Sequence, residues 1–376
     1  MVESATMQQL LQQHFDHYSS IHKVDGHRLK VCRHLLSCHT PALGGVQYQC
    51  DQCHKQVPHY HSCRDRHCPQ CQQRASRRWC EHQQQAILPV SYHHLVFTLP
   101  HELNAWVQLH PEVIYPLLFQ TVWKTLKTFA TDPKRLNGQL GMTAVLHTWG
   151  QNLSQHVHLH CLIPGGALGD DQKWHPAKST YLFPVRALSR HYRGSTVSAL
   201  RDSAETGKLN RIHRDGEVDD TLDQLMQKDW VVYSKCGLNR TESIVGYLAR
   251  YSHRIAISDQ RIISLDDDQI SFHYNDYRND RSGIMQLDCE EFIRRFLMHV
   301  LPKGLMRIRH YGFLANRCRK ASLNRIRKIL EQPEKTSDNG STEEQAVYRC
   351  PVCKKGHLIV IRRLDPVWPK LTLAPG

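Results

Sequence analysis

The 376-residue sequence has no run of eighteen apolar residues, and its opening, MVESATMQQLLQQHFDHYSS, lacks a basic start followed by an apolar stretch. Neither a membrane span nor a secretory leader is expected, which points to the cytoplasm. No G-x-x-x-x-G-K-[ST] loop occurs, so a fused ATP-driven motor is not expected, and no internal repeat is found. Acidic residues are also scarce: 35 Asp and Glu stand against 49 Lys and Arg, giving +14 with histidine neutral and a pI near 9.2. An excess of that size favours a polyanionic partner, through field steering and counterion release.

What the chain holds in quantity is cysteine and histidine, 14 and 27 residues. In a reducing compartment paired cysteines more often hold metal than form disulfides. Cys50/Cys53 and Cys68/Cys71 are both Cys-x-x-Cys with fourteen residues between them. Two such pairs complete one tetrahedral, closed zinc site. Cys38, Cys63, His59, His61 and His67 exceed what one ion needs, and serve either a second ion or the polar surface. Cys350/Cys353 supply two thiolates more; the remaining ligands are either local, as His357, or come from the N-terminal module folded back.

Length suggests two or three domains. Residues 1 to about 36 have helical spacing, then CHTPALGGVQYQC breaks the period. QQRASRRWCEHQQQAI reads as a basic helix ended before Pro89, YHHLVFTLP as a strand, and LNAWVQLHPEVIYPLLFQTVWKTLKTFA as helical. MTAVLHTW and HVHLHCLI read as two strands joined by GQNLSQ. Residues 187 to 228 are a soluble-looking stretch, and WVVYSK follows as a strand. NRTESIVGYLARYSHRIAI reads as a helix capped by Asn239 with Glu242 three residues on. RIISL, ISFHYN and IMQLD are short strands, CEEFIRRFLMHVL a helix, EQPEKTSDNGSTEEQ a polar linker, and YRCPVCKKGHLIVI a small metal knuckle.

HVHLH at 156–160 raises the possibility of a second kind of metal site. In a chain this rich in histidine a His-hydrophobe-His triplet arises by chance about once, and HYH at 59–61 is such a decoy. The surroundings decide. A hairpin centred near residues 152 and 153 pairs positions summing to about 305, setting His147 opposite His158 on one face with His160. Those three imidazoles could bind a divalent ion and leave positions open for a substrate oxygen. With a longer or bulged loop, Gln151 or a residue on the later helix replaces His147. Almost ninety residues on, Tyr247 and Tyr251 stand four apart, so on a helix both phenols share a face. Arg250, His253 and Arg254 crowd the same segment and suit phosphate better than core.

Four stretches, SCRDRHCPQCQ, VLHTWGQNLSQHVHLHCLIPGGAL, YLARYSHRIAIS and EEFIRRFLMHVLPKGLMRIRHYGFLAN, together resemble, in order and over nearly the whole chain, the two-tyrosine rolling-circle transposases of bacterial insertion sequences. These are the insertion sequence ninety-one family, whose nuclease belongs to the His-hydrophobe-His superfamily shared with relaxases and replication initiators. The resemblance implies an α+β nuclease with an antiparallel sheet and flanking helices, preceded by a zinc-binding DNA-recognition module. It implies metal ligands at His158 and His160 and nucleophiles at Tyr247 and Tyr251; the third metal ligand is left to the hairpin register, which offers His147.

The expected organisation is a helical and zinc-binding module over 1–90, the nuclease over 91–330, and a linker with the knuckle over 331–376. Structural zinc is expected at Cys50, Cys53, Cys68, Cys71, Cys350 and Cys353, and Mg²⁺ or Mn²⁺ at the histidines. Arg77, Arg78, Arg250 and Arg254 are expected to contact nucleic acid. The partners are single- and double-stranded DNA at element ends and a host helicase, with no membrane. The rival functions are a plasmid replication initiator or relaxase with the same chemistry, and a non-enzymatic zinc DNA-binding regulator.

Overall fold

The N-terminal helices begin where the sequence caps them. In helix α1 (Met7–Ile21) the Thr6 hydroxyl accepts the Gln9 N–H at 3.2 Å while the Gln9 side chain accepts the Thr6 N–H at 2.9 Å, a reciprocal capping box. Met7, Leu10, Leu11, Phe15 and Tyr18 recur at helical spacing and are buried. Asp25 caps α2 (Gly26–Ser37) by accepting the N–H groups of His27 and Arg28, both at 3.0 Å. The computed structural model describes residues 5–177, 181–212, 216–238, 244, 246, 255–276, 281–331 and 348–367.

The centre of the fold is a five-stranded antiparallel sheet in the order β12 (Ile308–Gly312), β4 (Gly141–Trp149), β5 (Gln155–Pro164), β3 (Tyr92–Thr98), β8 (Val232–Leu238). Its two faces separate by the alternation of strand side chains. Leu95 and Phe97 of β3, Met142, Ala144 and Leu146 of β4, and Val157, Leu159 and Cys161 of β5 enter the main core. There they meet α5 (Pro111–Thr131), α6 (Val185–Glu205) and α7 (Glu217–Gln227), which contribute Leu118, Phe119, Val122, Tyr192, Leu200 and Leu222. Each of these large apolar side chains contributes roughly 2 kcal/mol through burial. The other face carries the histidines.

The helical stretch expected at 103–130 is two helices, α4 (Asn104–Leu109) and α5, broken at His110. The residue before a proline is pushed out of the helical region, and Pro111 then starts the next helix. The soluble-looking stretch at 187–228, which carries no assignment from the sequence, holds two core helices, α6 and α7. Strand β12 and helix α9 (Arg319–Ile329) also carry no assignment from the sequence.

A second core crosses the boundary expected near residue 90. α1 and α2 pack with α8 (Cys289–Met298) and with a three-stranded sheet of β9 (Ile262–Asp266), β10 (Gln269–Asp276) and β11 (Arg281–Asp288). Phe15, Leu35, Phe272 and Phe292 all belong to it. The C-terminal strand β13 (Leu358–Leu364) pairs antiparallel with β1 (Gly45–Cys50), which pairs with β2 (Gln56–Tyr60). The fold is therefore α+β, with antiparallel pairing in all the sheets. Among the described residues no helix is long and apolar enough to cross a membrane.

Candidate metal centres

Strands β4 and β5 are joined by the tight turn 150–154, in which the Gly150 N–H donates to the Ser154 carbonyl at 2.8 Å. The register that follows sets His147 opposite His158 and Val145 opposite His160. His147, His158 and His160 thereby share the face opposite the main core, and their ligand atoms lie within 4.8 Å of one another. His147 is 3 % exposed and stacks on Trp149. His156 points the same way but is exposed and stands outside this group.

Hydrogen bonds orient two of the rings. His158 Nδ1 lies 2.8 Å from the His156 carbonyl, which can only accept, so Nδ1 carries the proton and Nε2 keeps its lone pair. His160 Nδ1 lies 3.0 Å from Nε2 of His94 on β3, with the two rings stacked. If His160 Nδ1 donates, its Nε2 is likewise left for a metal and His94 is the orienting partner, as outer partners of metal-bound imidazoles commonly are. Burial, helped by His156, pushes His158 down to about 4, and burial with Lys235 and His158 pushes His94 down to about 3. Both rings are neutral at pH 7, as a ligand must be. A single face with three imidazoles fits a divalent ion and leaves coordination positions unused.

His94, and also Tyr233 and Lys235 of β8, share this face without a motif in the sequence to mark them. Tyr233 lies edge-on to His94 at 6.3 Å and is 53 % exposed. Tyr247, Tyr251, Arg250 and Arg254 lie outside the described residues. Ile244, three residues before the first of these tyrosines, is buried with Tyr92 and Leu162, each two positions along its strand from His94 and His160.

The cysteines assemble differently from the single site expected from Cys50, Cys53, Cys68 and Cys71. Those two pairs are apart, and each has found other partners. Cys68 and Cys71 join Cys38 and Cys63; Cys50 and Cys53 join Cys350 and Cys353. In the first cluster the Cys38–Cys71, Cys63–Cys71 and Cys38–Cys68 sulfurs are each 3.6 Å apart. Four sulfurs at about 2.3 Å from one zinc ion stand about 3.8 Å from each other, far beyond a disulfide bond, so the spacing is that of a tetrahedral thiolate site. The reason is topological: a Cys-x-x-Cys turn presents two sulfurs, but which turn it faces is set by the packing of α2 and β1. His59, His61 and His357 belong to neither cluster, and among the described residues HYH is only an exposed strand end.

The polar letters between the cysteines of SCRDRHCPQC act as struts. Asp65 accepts from Nδ1 of His34 and of His67, both at 2.9 Å, while the Leu301 N–H donates to His67 Nε2 at 3.2 Å. Burial opposes ionisation of Asp65, yet these hydrogen bonds hold its carboxyl below the usual range. Arg66 donates to the carbonyls of Leu301, Pro302 and Leu305 beyond α8. The first cluster is thus braced against the histidine-bearing part. Arg77 and Arg78 are exposed on α3 (Pro69–Gln84), and Arg78 lines a groove of about 470 Å³ with His39, Arg64, Gln70 and Gln72 beside Cys71.

Two family models match the chain. Residues 10–99 match Zn_Tnp_IS91, described as "Transposase zinc-binding domain", and residues 141–322 match Y2_Tnp, described as "Putative transposase". The chain is 39 % identical over 350 residues to "Putative transposase y4qJ" of Sinorhizobium fredii, a match covering 88 % of each chain. It is 26 % identical over 317 residues to the "Transposase for insertion sequence element IS801" of Pseudomonas savastanoi pv. phaseolicola, covering 79 % of this chain and 72 % of that one. No solved structure matches it.

Proposed function

Because the chain belongs to the IS91 family of insertion-sequence transposases, we propose that it cuts and rejoins single-stranded DNA at element ends through a 5′-phosphotyrosine. The observation that carries this reading is the convergence of His147, His158 and His160 on one buried sheet face. A divalent ion held there would draw charge from a non-bridging oxygen of the scissile phosphate. Nitrogen donors favour Mn²⁺ over the oxygen-seeking Mg²⁺.

The nucleophiles in this reading are Tyr247 and Tyr251. A phenol oxygen attacks phosphorus as its proton leaves; the bond to the 3′-oxygen breaks, and that oxygen leaves as a 3′-hydroxyl once protonated. Bond energy is conserved, so a second strand's 3′-hydroxyl can reverse the step and rejoin DNA without nucleotide hydrolysis. The burial of Ile244 beside Tyr92 and Leu162 supports placing the tyrosine segment by the histidine face. Exposed Tyr233 is suited to stacking an unpaired base, and Arg78, Arg77, Arg250 and Arg254 to backbone contact. Zinc at Cys38, Cys63, Cys68 and Cys71 would hold the module that reads the ends. Strand separation is assigned to a host helicase.

The test is incubation of the protein with single-stranded element ends and Mn²⁺ or Mg²⁺, followed by denaturing electrophoresis. A covalent protein–DNA adduct is expected with the parent protein and none with the Tyr247→Phe, Tyr251→Phe double variant, although that variant still binds DNA. An adduct mapped by mass spectrometry to another side chain would refute the assignment.

A further inference from the structure

Cys350 and Cys353 lie far outside the matched zinc-binding stretch, which ends at residue 99, yet they meet two of its cysteines. Cys50 Sγ lies 3.7 Å from Cys353 Sγ, and Cys53 Sγ lies 3.7 Å from Cys350 Sγ. These are again edges of a tetrahedron about one zinc ion, not bonded sulfurs.

The two turns that supply the sulfurs are copies of one another. In the first, the His54 N–H donates to the Cys50 carbonyl at 3.1 Å; in the second, the Lys354 N–H donates to the Cys350 carbonyl at 3.0 Å. His54 and Lys354, each following its second cysteine, both adopt left-handed backbone, with φ of 55° and 59°. Both turns also aim backbone N–H groups at sulfur: Cys53 N–H to Cys50 at 3.5 Å, and Gly356 N–H to Cys353 at 3.4 Å. Non-glycine residues rarely adopt positive φ, so its repetition at matching positions marks two metal knuckles, not two chance turns.

The knuckles are also tied to each other. The Asp51 N–H donates to the His357 carbonyl at 3.0 Å, and the His357 N–H to the Asp51 carboxylate at 2.8 Å. A Cβ on Gly356 would come within 2.5 Å of both Asp51 Oδ1 and Cys50 Sγ, so the second turn sits against the first with no room for a side chain there. Strand β13 then runs along β1 from Leu358 opposite Cys50 to Leu364 opposite Gly45. Little apolar burial supports this join. Ile359, Val360 and Ile361 are 56 %, 52 % and 43 % exposed, and none of residues 348–367 enters the apolar clusters. A seven-residue strand with three of its five apolar side chains exposed and the other two only half-buried needs another source of adhesion, and four sulfurs around one ion supply it.

We propose that Cys50, Cys53, Cys350 and Cys353 bind a second zinc ion, forming a zinc ribbon whose two knuckles come from opposite ends of the chain. The ion holds β13 as the third strand on β1 and β2 and fastens residues 348–364 to the N-terminal module. It is separate from the ion of the Cys38 cluster and from the histidine site.

Zinc per chain, measured by elemental analysis on the purified full-length protein, tests this. The Cys50→Ser, Cys53→Ser variant and the Cys350→Ser, Cys353→Ser variant should each lose one zinc relative to the parent. The variant with all four changes should also lose one, because both pairs share an ion. Loss of two ions from the fourfold variant, or none from the C-terminal pair, overturns the proposal. A second measurement works if the serine variants misfold. With a protease site inserted in the polar segment SDNGSTEE and cut after purification, the C-terminal fragment should stay with the rest through gel filtration and separate when a chelator is added. Separation while zinc is retained overturns it equally.

Discussion

The cysteine clusters and the histidine cluster are both built from side chains drawn together by strands and turns, but they leave different things over. Four sulfurs complete a tetrahedron, so nothing from outside can join the ion they hold. Three imidazoles leave positions open, and they do so on a sheet face rather than in a turn. The difference also shows in the supports. The Cys50 and Cys353 sulfurs each accept a backbone N–H of their own turn, whereas His158 and His160 are oriented by a carbonyl and by another imidazole. Ligand number thus separates a site that fastens the chain from one that can act on a substrate.

The largest effect should come from emptying the open site. His158→Ala or His160→Ala is expected to lower cleavage of single-stranded ends by about 10³-fold or more, while circular dichroism and end binding stay near the parent. Cleavage by either variant within tenfold of the parent would erase the distinction drawn above.

Acid should reach the histidine side of the molecule next. His299, fully buried, lies 3.0 Å from the Leu153 carbonyl and 3.2 Å from the Thr148 hydroxyl, and burial pushes it down to about 4. The unfolded chain, with histidine near 6.5, binds more protons between those values, so stability is full above pH 6.5 and falls as pH drops toward 4. One such residue accounts for about 3 kcal/mol. Denaturant titrations across that range should show the loss, and His299→Gln should flatten it; an unchanged slope in the variant would show that other groups carry the pH dependence.

A smaller change is expected from breaking a closed site. Cys38→Ser with Cys71→Ser should remove one zinc and about 2 kcal/mol of end-specific affinity, yet leave cleavage of a short oligonucleotide at high concentration largely intact. Equal loss of both activities with full zinc retained would make the cysteines part of the reaction. The least effect belongs to His94. His94→Ala should weaken Mn²⁺ binding, read by electron paramagnetic resonance, by about tenfold, and His94→Gln, which can still accept from His160, should restore most of it. Equal weakening by both would mean that His94 only fills space.

The histidine register was legible because it depends on local arithmetic: a tight turn between two strands leaves one pairing for His147 and His158. The cysteine partners were not, since a Cys-x-x-Cys spacing identifies a turn without saying which turn it faces across three hundred residues. Helix α6 escaped notice because Ser189, Thr196 and Ser203 occupy buried positions among Leu188, Tyr192 and Leu200. Their hydroxyls find partners inside, Ser189 on the Trp230 carbonyl at 2.6 Å and Thr196 on Thr121 at 3.1 Å, so polar letters stand where a periodicity argument looks for apolar ones. His94 sits beside His93 in one strand, and only the three-dimensional sheet tells which of the two faces the site.

The turn at 150–154 has a bearing on how this protein can vary. Leu153 is buried there in left-handed backbone at φ 60°, and the carbonyls of Asn152 and Leu153 are held by Arg295 and His299. Strand faces alternate with every residue, so if the turn kept its form, one added or deleted residue would bring Val157 or Leu159 opposite His147 and send His158 and His160 toward the apolar core. Exchanges of one surface letter for another in this turn are tolerable; changes of its length are not. In a lineage of such proteins, then, the spacing from His147 to His158 should be inherited more strictly than the identity of most residues between them.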